Sequence, residues 1–259
     1  MRGLGRLSAL LALAAWPAAS AGMAAGATEG PVACSEIAHA DNRYTVCEVD
    51  PARDDLRLFL YDDAGAPYGE FSAIETALAA QGKHLAFAMN AGMYHEDRAP
   101  VGYYRQNGRE EMRLITNAGP GNFGLLPNGL LCLTDTTAHV IETMRYDTGD
   151  RPECRDATQS GPMLVIDGKL HPRFMPDSTS RYIRNGVGTS DTGDRVVFVI
   201  SRNAVTFHDF ASFFRDRLGL NQALYLDGNV SRLHAPGIGR SDLGRRMGPV
   251  VGVVAPATP

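Results

Sequence analysis

One segment near the carboxyl end of the chain joins a buried strand to a polar turn, and it limits the possible folds more than any other feature. Ala223 to Leu226 are apolar, and Asp227-Gly228-Asn229 then ends the strand with a carboxylate, a flexible backbone position and an amide. A helix with a capping box, starting at Phe207, is predicted just before it. Ligands often bind beyond the carboxyl ends of strands that follow helical crossovers, so Asp227 is the leading candidate for a catalytic carboxylate. The alternative is a surface turn, because Asp-Gly is a common turn dipeptide.

An earlier part of the chain repeats this order of elements. Glu70 to Ala80 has apolar residues at helical spacing, and the strand His84 to Met89 follows and ends at Asn90. Short apolar runs between about residues 103 and 169 predict a mainly β section, and Ser178 to Thr192 indicates a polar loop. The pattern predicts an α/β or α+β fold. We expect a single domain over residues 44–256, with a mixed β-sheet core, strand-helix-strand crossovers and a β-rich middle section.

The amino terminus predicts export. Arg2 and Arg6 precede the short apolar run Leu7 to Ala15, and Ala19-Ser20-Ala21 matches the cleavage pattern of a signal peptide. We predict a signal peptide over residues 1–21, a flexible segment over residues 22–43, and a periplasmic or extracellular protein. No later segment is long and apolar enough to predict a membrane span, so no stable membrane insertion is expected after cleavage.

Charge and cysteine usage narrow the function classes. The net charge of −4 and the pI of about 6.0 disfavour nucleic acid and anionic membranes as partners. All four cysteines follow the predicted cleavage site, where an oxidising compartment favours disulfides over metal ligation. Their spacing favours the pairs Cys34–Cys47 and Cys132–Cys154 among the three possible connectivities.

The turn after the earlier strand supplies further candidate site residues. If both strands lie in one sheet, Asn90 and Asp227 reach the same edge and face one ligand, and Gly92 lets the backbone approach it closely. Tyr94-His95-Glu96 follows with an aromatic ring, an imidazole and a carboxylate, which suit sugar binding or proton transfer. For His95 and Glu96 the alternative is an exposed loop without function.

The segment Arg184 to Thr189 is a candidate anion site. An arginine beside glycines offers a guanidinium group and free backbone N–H groups to an anionic oxygen, and Arg181 is a second candidate for the same anion. The alternative is an arginine that forms a salt bridge within a loop.

Two further sites have weaker signals. Ser160-Gly161 offers a hydroxyl beside a constrained turn but lacks the G-x-S-x-G elbow, so a hydrogen-bonding serine is favoured over a nucleophile. No cofactor or metal is predicted. Calcium stays open as an alternative through Asp191, Asp194 and the Asp227 turn, although their spacing does not form an EF-hand loop.

Four motifs in order resemble the phosphodiester glycosidase family. They are Asn90 to Tyr94, Ser160 to Leu164, Arg184 to Gly188, and Leu226 to Ser231. The family includes the lysosomal uncovering enzyme, which removes N-acetylglucosamine from a phosphodiester-linked mannose marker. Its members typically carry Asn-Gly-Gly-Phe at the first motif and Asp-Gly-Gly-Gly-Ser at the last. Ala91, Met93, Asn229 and Val230 are therefore departures, and the sugar specificity is not expected to carry over.

The resemblance implies hydrolysis of a sugar 1-phosphodiester, with release of the sugar and a phosphomonoester. We expect a carbohydrate or sugar-phosphate substrate in the cell envelope, with Asp227, Arg184 and Asn90 as catalytic residues. Two alternatives are a glycosidase acting on envelope polysaccharide, with Glu96 as a second carboxylate, and a non-catalytic carbohydrate-binding module. The expected substrate-binding residues are Gly92, Tyr94, His95, Glu96, Ser160, Gly161, Arg181, Gly188, Thr189, Gly228, Asn229 and Ser231.

Overall fold

The computed structural model describes residues 32–149 and 152–257, so the predicted signal peptide lies outside the described residues. Most of the regular structure is β. The strands are β1 (Ala33–His39), β2 (Asn42–Val49), β3 (Asp55–Phe59), β4 (Lys83–Asn90), β5 (Tyr104–Gln106), β6 (Arg109–Met112), β7 (Gly129–Leu133), β8 (Ala138–Glu142), β9 (Asp156–Ser160), β10 (Met163–Ile166), β11 (Lys169–Leu170), β12 (Asn185–Thr189), β13 (Val196–Ser201), β14 (Gln222–Asp227), β15 (Leu233–Ala235), β16 (Arg240–Ser241) and β17 (Val250–Pro256). The α-helices are α1 (Phe71–Ala79), α2 (Thr143–Thr148) and α3 (Phe207–Ser212).

The strands form three sheets. A seven-stranded sheet has the order β1-β2-β13-β12-β14-β10-β11, and two five-stranded sheets have the orders β16-β15-β4-β17-β3 and β6-β5-β9-β7-β8. Every hydrogen-bonded pair among these strands is antiparallel, so the mixed sheet that we predicted is wrong. The fold is a single α+β domain, which confirms the predicted fold class.

Both predicted strand-helix-strand crossovers exist, but each skips one strand. β3 and β4 flank β17, and β13 and β14 flank β12. Because each outer strand is antiparallel to the strand between, the two outer strands run in the same direction. The crossovers that the sequence indicates are therefore present, although all neighbouring strands in these sheets are antiparallel.

The helix before β14 has the predicted capping box. The hydroxyl of Thr206 accepts the backbone N–H of Asp209, and the Asp209 carboxylate accepts the backbone N–H of Thr206. A π-helical turn continues the helix over Phe213–Arg217. Phe210, Phe213 and Phe214 are fully buried and pack against the outer face of the seven-stranded sheet. This packing fixes the direction in which β14 leaves the helix.

The β12 segment corrects the sequence analysis, which predicted a polar loop over Ser178 to Thr192. β12 is entirely buried and lies between β13 and β14. A Cβ atom at Gly186 would lie 2.8 Å from the backbone oxygen of Leu224, and one at Gly188 would lie 2.7 Å from a methyl carbon of Leu220. Neighbouring residues thus fill the space that side chains at these two positions would occupy. Because both positions are glycine, β12 has no apolar run in the sequence.

Two disulfides join the predicted cysteine pairs. Cys34–Cys47 links β1 to β2, and Cys132–Cys154 links β7 to the segment before β9. The strand β1 lies within the predicted flexible segment 22–43, so that part of the prediction is wrong, because β1 pairs with β2 along its whole length. Within residues 32–149 and 152–257, no helix is long and apolar enough to cross a membrane.

Candidate active site

The end of β14 places the Asp227 carboxylate inside a cavity. One carboxylate oxygen of Asp227 accepts the backbone N–H groups of Gly228 at 2.6 Å and Asn229 at 2.8 Å. Only 9% of the residue is exposed, and this burial raises the pKa of Asp227 above its usual value despite the opposing amide contacts. The turn therefore presents a desolvated carboxylate in a fixed orientation, as a general base requires.

Gly228 is required by the close approach of Tyr225. A Cβ atom at Gly228 would lie 2.0 Å from the Tyr225 hydroxyl, so no other residue fits without displacing this ring. The Tyr225 hydroxyl lies 3.4 Å from one guanidinium nitrogen of Arg184. Tyr225 therefore joins the Asp227 turn to Arg184 through direct contacts.

Arg184 is a buried cation that is held by neutral groups. Its side chain donates to the carbonyls of Val205 at 3.0 Å and Ser180 at 3.2 Å, and its guanidinium carbon lies 3.7 Å from the centre of the Phe207 ring. The residue is 1% exposed, and burial lowers the pKa of Arg184. Among the described residues no carboxylate forms an ion pair with Arg184, so the alternative of a salt-bridged loop arginine is not supported there. Neutral contacts and a ring face position the guanidinium without cancelling its charge.

The cavity at this site has a volume of about 1130 Å³. Seven of the predicted site residues line it: Tyr94, His95, Glu96, Arg184, Asp227, Gly228 and Asn229. His95 and Glu96 are both exposed at its edge, so their side chains are accessible to a bound substrate. The structure thus brings together the predicted carboxylate, the predicted arginine and the predicted aromatic ring.

Asn90 lies beneath the cavity and contacts residues next to the Asp227 turn through hydrogen bonds. Asn90 and Asp227 lie in different sheets, so the premise that both strands share one sheet edge is wrong. Asn185 bridges them, because it pairs with Asp227 across β12 and β14 and its side-chain amide donates to the backbone and side-chain oxygens of Asn90 at 3.0 and 3.1 Å. Ser231 completes the group, with its hydroxyl 3.0 Å from the carbonyl of Asp227. Asn90 is fully buried and is absent from the cavity lining, which gives it a positioning role.

The remaining predicted residues lie outside the cavity lining. Arg181 forms an ion pair with Asp209 at 3.2 Å, and the Ser160 hydroxyl donates to the carbonyl of Leu226. Thr189 accepts the backbone N–H of Val140.

The predicted glycines outside the lining share a packing role. A Cβ atom at Gly92 would lie 2.9 Å from the Thr158 hydroxyl, and one at Gly161 would lie 2.6 Å from Cβ of Asn128. Gly188 packs against Leu220, as described for β12. At these three glycines the structure shows packing contacts within the protein, where we predicted contacts with the substrate.

Several lining residues were missed by the sequence analysis. They include four aromatic residues and three arginines: Phe123, Tyr182, Phe207, Tyr225, Arg98, Arg245 and Arg246. Phe207 and Tyr225 have the pattern of core residues, and Arg245 and Arg246 lie in an irregular segment without a motif. The calcium alternative combined Asp191 and Asp194 with the Asp227 turn, but Asp191 accepts a hydrogen bond from Asn221, Asp194 accepts from Ser190 and Thr192, and neither shares the lining with Asp227.

The chain is similar to known proteins in sequence and in fold. The sequence profile of the phosphodiester glycosidase family matches residues 83–246, which include β4, the Arg184 segment and the Asp227 turn. The chain belongs to the phosphodiester glycosidase family. A protein of Escherichia coli (strain K12) described as "Uncharacterized protein YigE" is 34% identical over 208 residues, which cover 80% of each chain.

Solved structures share the fold at low sequence identity. The zebrafish N-acetylglucosamine-1-phosphodiester alpha-N-acetylglucosaminidase catalytic domain, auto-inhibited by its pro-peptide, matches with a TM-score of 0.58 and 12% identity, over 86% of this chain and 81% of that chain. A hypothetical protein from Synechocystis matches with a TM-score of 0.54 and 13% identity, over 86% of this chain and 61% of that one. Membership of this family supports hydrolase activity of the phosphodiester glycosidase type.

Proposed function

We propose that this phosphodiester glycosidase family member hydrolyses a sugar 1-phosphodiester and releases a free sugar and a phosphomonoester. The observation that carries the proposal is the presence of Asp227 and an uncompensated Arg184 in the lining of one cavity. The reaction needs these two groups, because positive charge develops at the anomeric carbon while negative charge develops on the departing phosphate.

Asp227 acts at the anomeric carbon. The oxygen of a water molecule bonds to this carbon, the carbon–oxygen bond to the phosphate breaks, and its electron pair stays on the phosphate oxygen. Asp227 takes a proton from the water and passes it to solvent. The raised pKa of Asp227 makes it a stronger base than an exposed aspartate, and its hydrogen bonds from the turn hold it in place.

Arg184 stabilises the phosphate. Its guanidinium charge is not balanced by a carboxylate in the described part of the chain, so an incoming phosphodiester provides the missing negative charge. A phosphomonoester leaves easily once its charge is stabilised, so the mechanism needs no strong general acid. This explains how the site works although His95 and Glu96 are exposed and lie at its edge.

A substrate panel tests the proposed function. The protein is incubated with an aryl phosphodiester of N-acetylglucosamine, with the same diester of glucose, and with plain aryl glycosides of both sugars. Cleavage of the diesters alone supports the proposal. Cleavage of the plain glycosides would instead support a glycosidase for envelope polysaccharide, and binding without cleavage would support a carbohydrate-binding module.

We also propose that the protein acts outside the cytoplasm, in the periplasm or the extracellular space. The two disulfides support this location, because such bonds persist mainly in oxidising compartments. Fractionation of cells that produce the full chain, combined with amino-terminal sequencing of the product, tests the location. A cytoplasmic product that retains Met1 would contradict it.

A further inference from the structure

The cavity carries more positive charge than one phosphodiester can balance. Besides Arg184, it is lined by Arg98, Arg245 and Arg246. The acidic lining residues are Asp227 and Glu96. The whole chain has a net charge of −4, so this concentration of arginines differs from the average surface. A phosphodiester contributes a single negative charge.

The three additional arginines belong to two segments that meet at Tyr94. The guanidinium of Arg98 lies 5.3 Å from the centre of the Tyr94 ring, and the Tyr94 hydroxyl donates to the backbone carbonyl of Arg246 at 3.0 Å. A Cβ atom at Gly248 would lie 2.6 Å from Tyr94, so the segment that follows Arg246 packs closely against this ring. Tyr94 therefore fixes the two segments that carry Arg98, Arg245 and Arg246 beside each other.

These arginines lack carboxylate partners, in contrast to most other arginines of the molecule. Ion pairs involve Arg57, Arg105, Arg109, Arg145, Arg155, Arg181, Arg195, Arg202, Arg215, Arg232 and Arg240. Within residues 32–149 and 152–257, none is formed by Arg98, Arg245 or Arg246. Arg246 donates only to the carbonyl of Pro67. Other described arginines without an ion pair, such as Arg217, lie outside the cavity lining, whereas Arg98, Arg184, Arg245 and Arg246 share that lining.

We infer that the substrate carries a second anionic group, such as a carboxylate or a phosphate, that Arg98, Arg245 and Arg246 bind while Arg184 binds the scissile phosphodiester. This inference rests on the proposed function and specifies its substrate class. Guanidinium groups form paired hydrogen bonds with carboxylates and phosphates, and a cavity of about 1130 Å³ has room for a group beyond one sugar and its phosphate. The second anion belongs either to the released sugar or to the alcohol on the other side of the phosphate.

Three substrates locate the second anion. They are the methyl phosphodiesters of glucose and of glucuronic acid, joined through the anomeric oxygen, and a glucose phosphodiester whose alcohol is glycerol phosphate. We expect kcat/KM to be about ten-fold higher for one of the two substrates with a second anionic group than for the methyl diester of glucose. Preference for the glucuronate assigns the second anion to the sugar, and preference for the glycerol phosphate assigns it to the alcohol.

Charge-removing variants test whether the arginines cause this preference. In the double variant Arg245→Gln/Arg246→Gln, the ratio of kcat/KM between the preferred and the singly charged substrate falls to about two. The control is Arg217→Gln, which removes an exposed positive charge outside the cavity and leaves the ratio unchanged. The preference of the wild type also falls with added salt.

The outcomes separate this inference from the proposed function. Equal kcat/KM for all three diesters would overturn the second anion site and leave the proposed function intact. A preference that persists in the double variant, or that Arg217→Gln reduces equally, would overturn the role of these arginines. If none of the diesters is cleaved while other phosphate-free glycosides are, the proposed function itself is wrong.

Discussion

Arg184 and Arg232 are the two buried arginines in the part of the chain that the structure describes, and they differ in what balances their charge. Arg232 is 4% exposed, pairs with Glu70 at 2.7 Å and donates to the carbonyls of Asp242 and Arg245. Arg184 is 1% exposed and contacts only carbonyls, a hydroxyl and aromatic rings. Burial of a charge is costly unless it is paired, so the unpaired arginine is the one that an external anion can stabilise. The comparison separates a structural cation from a substrate-binding one.

The largest expected effect comes from the carboxylate beside Arg184. Asp227→Asn keeps an oxygen that accepts the turn N–H groups but removes the base, so kcat for a sugar 1-phosphodiester falls on the order of 10⁴-fold. Steady-state kinetics and far-UV circular dichroism measure the change and confirm the fold. Activity within about ten-fold of wild type would show that Asp227 is not the catalytic carboxylate.

Arg184→Met tests the substrate-binding arginine. Methionine keeps much of the apolar stem but removes the charge, so kcat/KM falls about 300-fold because the departing phosphate loses its stabilising group. The matched measurement is the thermal shift that inorganic phosphate produces, which is smaller in the variant because only the second anion site remains. An unchanged phosphate shift in Arg184→Met would contradict the assignment, whatever happens to turnover.

Arg232→Met tests the structural arginine. Removal of this partner leaves Glu70 and the Asp242 carbonyl without their donor, so the free energy of unfolding falls by about 3 kcal/mol. The remaining folded protein keeps kcat/KM within about three-fold of wild type. Denaturant titration and active-site-normalised kinetics measure both quantities. The comparison fails if Arg232→Met loses as much activity per folded molecule as Arg184→Met.

The smallest expected effect is the pH dependence of stability. Because burial raises the pKa of Asp227 in the folded state, the folded protein binds this proton more tightly than the unfolded chain does. Its contribution therefore favours folding below the unfolded pKa and is lost as pH rises through the folded pKa. We expect Asp227→Asn to be more stable than wild type at neutral pH, with the difference vanishing in acid. Parallel unfolding curves at several pH values check the sign, and a variant that is less stable at neutral pH would contradict it.

The sequence predicted the local elements well and the long-range arrangement poorly. The capping box at Thr206 and the strand ending at Asp227 have local signals, and both were found where predicted. β12 was missed because Gly186 and Gly188 serve contacts with Leu224 and Leu220, which only the folded chain brings close. The same limit applies to the antiparallel pairing, because a crossover pattern does not reveal a strand inserted between its two strands.

In the candidate site, too, residues with local sequence signals were predicted and residues that depend on long-range contacts were not. Asp227, Arg184 and Tyr94 carry chemistry that their own motifs reveal, and all three line the cavity. Asn185 was not identified as a site residue, because its role depends on Asn90 of another sheet. Thr189 was placed in the site because it adjoins the Arg184 motif, yet strand alternation and burial direct it to the backbone of Val140.

The most direct test of the central claim is the position of bond cleavage. Wild-type protein is incubated with a sugar 1-phosphodiester in ¹⁸O-labelled water, and both products are analysed by mass spectrometry at low conversion, with Asp227→Asn as the inactive control. If Asp227 acts at the anomeric carbon while Arg184 holds the phosphate, the label is found at the anomeric position of the released sugar and is absent from the phosphomonoester. Label in the phosphomonoester would show that water attacks phosphorus, and it would contradict the account.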